Sequence, residues 1–287
     1  MRRARYSFDN DDSIAADRHR MLAEVLDPFT IERLSALGGL DGRRCLEAGA
    51  GGGSIATWLA DRVGPSGSVL ATDLNPRHLR AGAGYTVLRH DLSTEPVPDP
   101  PWDLIHARLV LSHLPARAEI LDRLAAALAP GGTLVIEEWA SAYRGLVLAA
   151  PDPATATLVE RYHDILVGRL LPGNGGDPAW GSAVHGAMLA AGLSGVSTEI
   201  RASSWAGGTA GARLIAVNIE QLRPGFLDAG LTEQELDRLS RLADDPRLVI
   251  RGHLTYSTAG TASTAGSAST AGTASTAGTA SVAGTAK

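Results

Sequence analysis

The sequence predicts an α/β fold, a doubly wound and mostly parallel sheet. Three observations carry this expectation. Short apolar runs alternate with stretches of helical period from residue 44 onward. The first run leads directly into a glycine cluster, Gly49-Ala50-Gly51-Gly52-Gly53, that opens a helix. The 287 residues, 44% hydrophobic and 20% charged, are enough to bury a sizeable core.

Taken in order, residues 11–37 read as helical, with Ile14, Arg18, Met21, Leu22, Val25 and Leu26 in a mixed stripe that Pro28 breaks or restarts. Arg44-Cys45-Leu46-Glu47 reads as the first strand, with Cys45 a small buried hydrophobe. Ser54 to Val63 is a helix with Ile55, Trp58, Leu59 and Val63 on one face. Strands follow at Ser68 to Thr72, Tyr85 to Leu88 and Trp102 to Ile105. Only eleven residues separate Asp73 from Tyr85, so that crossover must be short or irregular. Ala116 to Ala129 is a helix that Pro130-Gly131-Gly132 stops, before a strand at Thr133 to Ile136. Residues 141–192 show no clear strand and read as a helical insertion. His163 and Asp164 would lie on its surface. Val196 to Ile200 and Arg247 to Tyr256 supply the last two strands, making seven. Thr232-Glu233-Gln234-Glu235 fits a capping box. From Thr258 the chain repeats TAGTAS-like units to Lys287, too poor in bulky residues to bury a core, and is expected to be a disordered tail. The expected division is a helical cap over 1–40, a ligand-binding domain over 41–257 and the tail over 258–287.

Composition narrows the function. A net charge of −5 argues against nucleic acid as partner. No apolar run approaches the roughly 20 residues needed to span a bilayer. The basic N-terminus leads into Asp9-Asn10-Asp11-Asp12 rather than an apolar stretch, so no signal peptide is expected. A cytoplasmic protein with no membrane partner follows. One cysteine excludes an intrachain disulfide, and no cluster with metal-ligand spacing appears, so no metal is expected.

The glycine loop is the most informative segment. A dinucleotide fingerprint wants a glycine at its sixth position, where this chain has Ser54. Glu47, two residues before Gly49, would repel a pyrophosphate but suits a cation. The pattern acidic-x-Gly-x-Gly-x-Gly resembles the first motif of class I S-adenosylmethionine (SAM) methyltransferases. Further segments carry the resemblance in the same order: Asp73 ending the second strand, His90-Asp91-Leu92, Trp102 to Pro115, and Leu128-Ala129-Pro130-Gly131-Gly132-Thr133-Leu134. The stretch from Asp27 through His78 is similar to an actinobacterial, natural-product branch of that family.

The resemblance implies a Rossmann-like methyltransferase sheet with SAM as cofactor. It implies Glu47, Ala48, Gly49, Ala50, Gly51 and Gly53 around the methionine end. Asp73 would hold the ribose or cap a turn at Asn75-Pro76, Leu74 and Leu92 would flank the adenine, and Asp91 would accept from its amino group. Arg108 is placed on the cofactor, on the backbone after its strand, or in a surface salt bridge. His113 reads as the general base for a small-molecule acceptor, as a cap for the helix near Pro115, or as a side chain packed against the substrate. Glu137 and Glu138 end a strand, one expected toward the site and one away. Residues 141–192 and 202–231, with Trp139, Tyr143, Tyr162, Trp180 and Trp205, are expected to shape the acceptor pocket, with Tyr6 and Arg20 on a lid. A homodimer is compatible with the sequence. Two rivals stand beside methyl transfer in secondary metabolism: an NAD(P)-dependent oxidoreductase and a SAM-binding protein that does not turn its ligand over.

Overall fold

Side-chain alternation along the strands builds a two-faced sheet. In a computed structural model that describes Phe8, Asp11 and residues 14–264, seven strands pair in the order β3-β2-β1-β4-β5-β10-β7. They are β1 (Arg44–Ala48), β2 (Ser68–Asp73), β3 (Thr86–Arg89), β4 (Trp102–Arg108), β5 (Leu128–Ala140), β7 (Ser194–Arg201) and β10 (Leu254–Thr261). The first five run parallel and β10 runs antiparallel between β5 and β7. Leu46, Ile105, Leu134 and Ile136 face one core with α3 (Arg117–Ala126) and α6 (Val184–Ala190). Their neighbours Cys45, Leu104 and Val135 face the other, with α1 (Ala15–Ala36) and α2 (Ser54–Val63). The period of two in sequence thus becomes two layers of helices.

A third core lies outside the sheet. It joins α4 (Pro153–Ile165), the short α5 (Leu171–Gly173), α7 (Ala210–Asp228) and α8 (Glu233–Leu242) to a small sheet of order β6-β9-β8, namely Val147–Ala149, Val249–Arg251 and Ser204–Ala206. The capping box at Thr232 and Glu235 forms as expected.

Several expectations need correction. Helix α1 runs through Pro28 without a break, because Phe29, Thr30, Arg33 and Leu34 are buried on its far side and hold it down. Strand β5 begins at Leu128, inside the expected helix. Its pairing with β4 shifts register between Trp102 and Leu104, which absorbs Pro130-Gly131-Gly132. The crossover after Asp73 is a single 3₁₀ turn, Pro76–His78. Strands β6 and β8 were hidden by their three-residue length. His163 is buried at 1% exposure, whereas Asp164 is exposed. The boundary expected at Thr258 falls inside β10, where Thr258 and Ala259 are buried between β5 and β7. Most of the repeat, from residue 265, lies outside the described residues, as does Tyr6. Among the described residues no helix is long and apolar enough to cross a membrane.

Candidate functional site

The glycine loop joins the end of β1 to α2. Gly49, Gly51 and Gly53 all adopt positive φ, which L side chains rarely tolerate. At Gly49 a Cβ would also sit 2.3 Å from Val110 Cγ2, so the turn closes against the segment after β4. The loop lines a cavity of about 1370 Å³ at the C-terminal ends of β1, β2 and β4. Ligands bind at this edge in open α/β sheets. The volume exceeds the roughly 300–1,000 Å³ of ordinary ligand pockets, enough for more than one small molecule.

Of the residues expected to bind a cofactor, Glu47, Gly49, Ala50, Gly51, Asp73, Leu74, Asp91, Leu92 and Arg108 line this one cavity. Ala48 and Gly53 do not. Ala48 is packed into the sheet, and Gly53 is the N-cap of α2, where a Cβ would stand 2.7 Å from Tyr85 Oη. Their requirement is for packing.

Each carboxylate is held differently. Asp73 accepts from Gly51 N and Asn75 N, both at 2.9 Å, so it fixes the loop from below. Burial raises its pKa despite those two donors. Asp91 is turned partly inward to its own loop, accepting from Ser93 N and Thr94 Oγ1 at 2.9 Å. Glu47 pairs with His106 Nδ1 at 2.7 Å across neighbouring strands, where the two residues are in register. On its other side His106 Nε2 stands 3.5 Å from Glu137 Oε2. Burial opposes protonation of His106, but the two carboxylates outweigh it and push the imidazolium up to about 9. The imidazolium braces Glu47 beneath the cavity.

Glu137 and Glu138 correct the expectation of one side chain in and one out: both are fully buried and neither lines the cavity. Glu137 accepts from Thr30 Oγ1 and faces His106. Glu138 Oε1 accepts from Val110 N and Ser112 N, each at 3.1 Å, fixing the turn Leu111–His113. Arg108 takes the salt-bridge alternative, largely buried rather than on the surface. Its guanidinium donates to Thr30 Oγ1 and to Asp27 Oδ1, both at 2.8 Å, so it ties α1 to the sheet. Ser54, the residue that spoils the dinucleotide pattern, donates to the same Asp27 at 3.1 Å.

His113 stands where the large cavity meets a smaller one of about 60 Å³, and it lines both. Phe8 packs edge-on against it at 6.1 Å. Burial, with Arg18 and Arg117 close by, pushes its pKa down to about 3. The ring is therefore neutral at physiological pH and a weaker base than an ordinary histidine. The inner cavity draws residues from both segments expected to shape an acceptor pocket, among them Ser141, Leu166, Val167, Leu214 and Asn218. Trp139 lines it, whereas Tyr143, Tyr162, Trp180 and Trp205 pack behind or beside it. His253, which sequence reasoning missed, also lines it and meets Tyr143 Oη at 3.1 Å through Nδ1. Arg18 and His19 were missed too. Both lie on α1 and line the large cavity, and the His19 ring lies over the glycine loop, 3.5 Å from a Cβ placed on Gly51.

The donor set fits SAM. Carboxylates on the glycine-loop side suit its cationic amino-acid end, and the apolar Leu74 and Leu92 suit a flat base. No phosphate-binding cation is built into the loop. Comparison with known proteins agrees. A family profile described as "Methyltransferase domain" matches residues 17–167. Methyltransferase str2 of Strobilurus tenacellus is 36% identical over 147 residues, 50% of each chain. The ubiquinone/menaquinone biosynthesis C-methyltransferase UbiE of Bordetella avium is 31% identical over 154 residues, 51% of this chain and 57% of that one. The chain thus spans about half the length of the curated relatives it matches. Among solved structures, a methyltransferase-like protein of Bacillus halodurans superposes with TM-score 0.52 at 16% identity, covering 81% of this chain and 98% of that one, a likeness of fold. With the profile covering more than half its length, the chain belongs to the class I SAM-dependent methyltransferase family.

Proposed function

We propose that this protein transfers a methyl group from SAM to an oxygen, nitrogen or carbon nucleophile of a small-molecule acceptor. The observation that carries the reading is the convergence of Glu47, Asp73, Asp91 and the glycine loop on one cavity that reaches His113. When bound, SAM supplies a methyl already activated by a sulfonium. The chain's task is then to align and to exclude water. Glu47, braced by His106, takes the cationic amino end. Asp73 takes the ribose while holding Gly51. Leu74, exposed at 50% on the cavity rim, covers the base with Leu92. Helix α1 acts as a lid, tied down through Asp27, Thr30 and Arg108. His113, neutral, accepts a hydrogen bond from the acceptor nucleophile and orients it. The helical segment behind Trp139 and His253 forms the acceptor side.

The relatives differ by their names, a ubiquinone/menaquinone biosynthesis C-methyltransferase in one case and a trans-aconitate 2-methyltransferase in another, so they leave the acceptor atom open. An acceptor of secondary metabolism, the actinobacterial branch, a cytoplasmic site of action and a homodimer belong to the same proposal. Incubation of the full chain with methyl-labelled SAM and a metabolite extract tests it. Label is expected in a small molecule, reduced about tenfold or more at limiting SAM in a Glu47→Gln control. Label that stays in SAM across extracts, with SAM bound, favours a binding protein instead.

A further inference from the structure

Among the described residues, Arg18 is a buried cation without a counter-charge. It lies near the start of α1 at 6% exposure, its guanidinium 3.8 Å over the Phe8 ring, and it lines both cavities. Its Nε is buried with no hydrogen-bond partner. Among the described residues no carboxylate reaches it, whereas three other arginines at the core's edge are matched: Arg33 with Glu199, Arg108 with Asp27, Arg117 with Asp177. Taking an unmatched guanidinium out of water is costly, so an anion arriving there is favoured.

The charge pattern says which anion. Glu47 and Asp73 stand at the strand ends beside the glycine loop. On the far side of His113, the inner cavity is walled by Leu109, Leu166, Val167, Leu171 and Leu214. Its one acid, Asp177, already faces Arg117. Arg18 and Arg117 both bear on His113, so the field around that ring is positive. An acceptor placed there meets an apolar wall, a neutral imidazole and one unshared guanidinium.

We propose that Arg18 binds an anionic oxygen of the acceptor, so that the acceptor is an organic acid whose apolar part lies against Leu166, Val167 and Leu214. The assignment rests on the methyl-transfer reading above, because it takes the space beside His113 as the acceptor's. A guanidinium pairs with a carboxylate through two parallel hydrogen bonds, which would fix the acid's orientation as well as its affinity.

Matched pairs of acid and neutral compounds test this on the full chain: benzoate with benzyl alcohol, cinnamate with cinnamyl alcohol, octanoate with octanol. Binding is read by ligand-detected NMR with and without S-adenosylhomocysteine (SAH), for the native protein, Arg18→Met and Arg18→Lys. A charge-assisted pair predicts that acids bind about tenfold more tightly than their neutral partners. Arg18→Met should abolish that preference and Arg18→Lys keep part of it, with SAH affinity changed less than about threefold. Absence of an acid preference in the native protein overturns the proposal, as does a preference that survives in Arg18→Met. So does a loss of SAH affinity with the acid preference intact, which would give the guanidinium to the methyl donor's own carboxylate. Should Arg18→Met fail to fold, an unaltered preference in Arg18→Lys overturns it and a reduced one supports it. SAH binding to the native protein is read separately, so failure of the methyl-transfer reading would show there and not in the acid preference.

Discussion

Glu47, His106 and Glu137 form a buried charge triad under the cavity, and its energetics set the sharpest residue-level expectations. Removing one partner of such a group leaves a charge uncompensated, at a cost of about 3–5 kcal/mol. His106→Gln should therefore lower the melting temperature markedly at pH 7 and weaken SAH binding, since Glu47 loses its brace. The pH sign follows from the raised pKa. His106 contributes its full stabilisation below about 6.5, its unfolded value, and loses it as pH rises toward about 9. Melting curves from pH 7 to 9 should fall for the native protein and be flatter for His106→Gln. His253 has the opposite sign. Burial, with His163 and Arg251 nearby, pushes it down to about 3, so its contribution is present above 6.5 and is lost as pH falls. His253→Phe should flatten the acid side of the stability profile. His113 should add no inflection to kcat/KM near pH 6–7, because its ring stays neutral far below that range. An inflection there that disappears in His113→Asn would contradict the orienting role.

Elements carried much of their identity in the sequence, and the exceptions have physical causes. Strands buried on both faces read as continuous apolar runs, so β1, β2 and β4 were visible. The β5 segment was misread because Pro130-Gly131-Gly132 is the usual end of a helix, and only pairing with β4 and the end of β10 makes it strand. Strands β6 and β8 are too short to show a period. The loop acids were legible because each lies at or within two residues of a strand's C-terminal end, where side chains meet ligands. Arg18 and His253 were not, since the fold brings them to the site from opposite ends of the chain. Local signals that did hold can be tested apart from the site. Thr232→Ala removes the cap whose side chain accepts from Glu235 N in α8. It should cost about 1 kcal/mol in denaturant unfolding, with SAH affinity unchanged.

At the scale of the whole molecule, the sheet is completed by the beginning of the repeat. Residues Thr258 to Thr261 pair with β5 on one side and β7 on the other, so sequence composition alone misplaced the boundary. A chain ending at Ser257 should fail to fold cooperatively, whereas one ending at Thr264 should keep the native melting transition and SAH affinity. Equal behaviour of the two truncations would contradict the strand assignment. Methyl transfer by this chain requires that the cavity at the end of β1 hold SAM. Calorimetric titration of the native protein and Glu47→Gln with SAH, and of the native protein with NAD, tests it most directly. Single-site SAH binding, weakened about tenfold or more by Glu47→Gln, with no heat from NAD, is the predicted result. NAD binding without SAH binding, or full SAH affinity in Glu47→Gln, would contradict it.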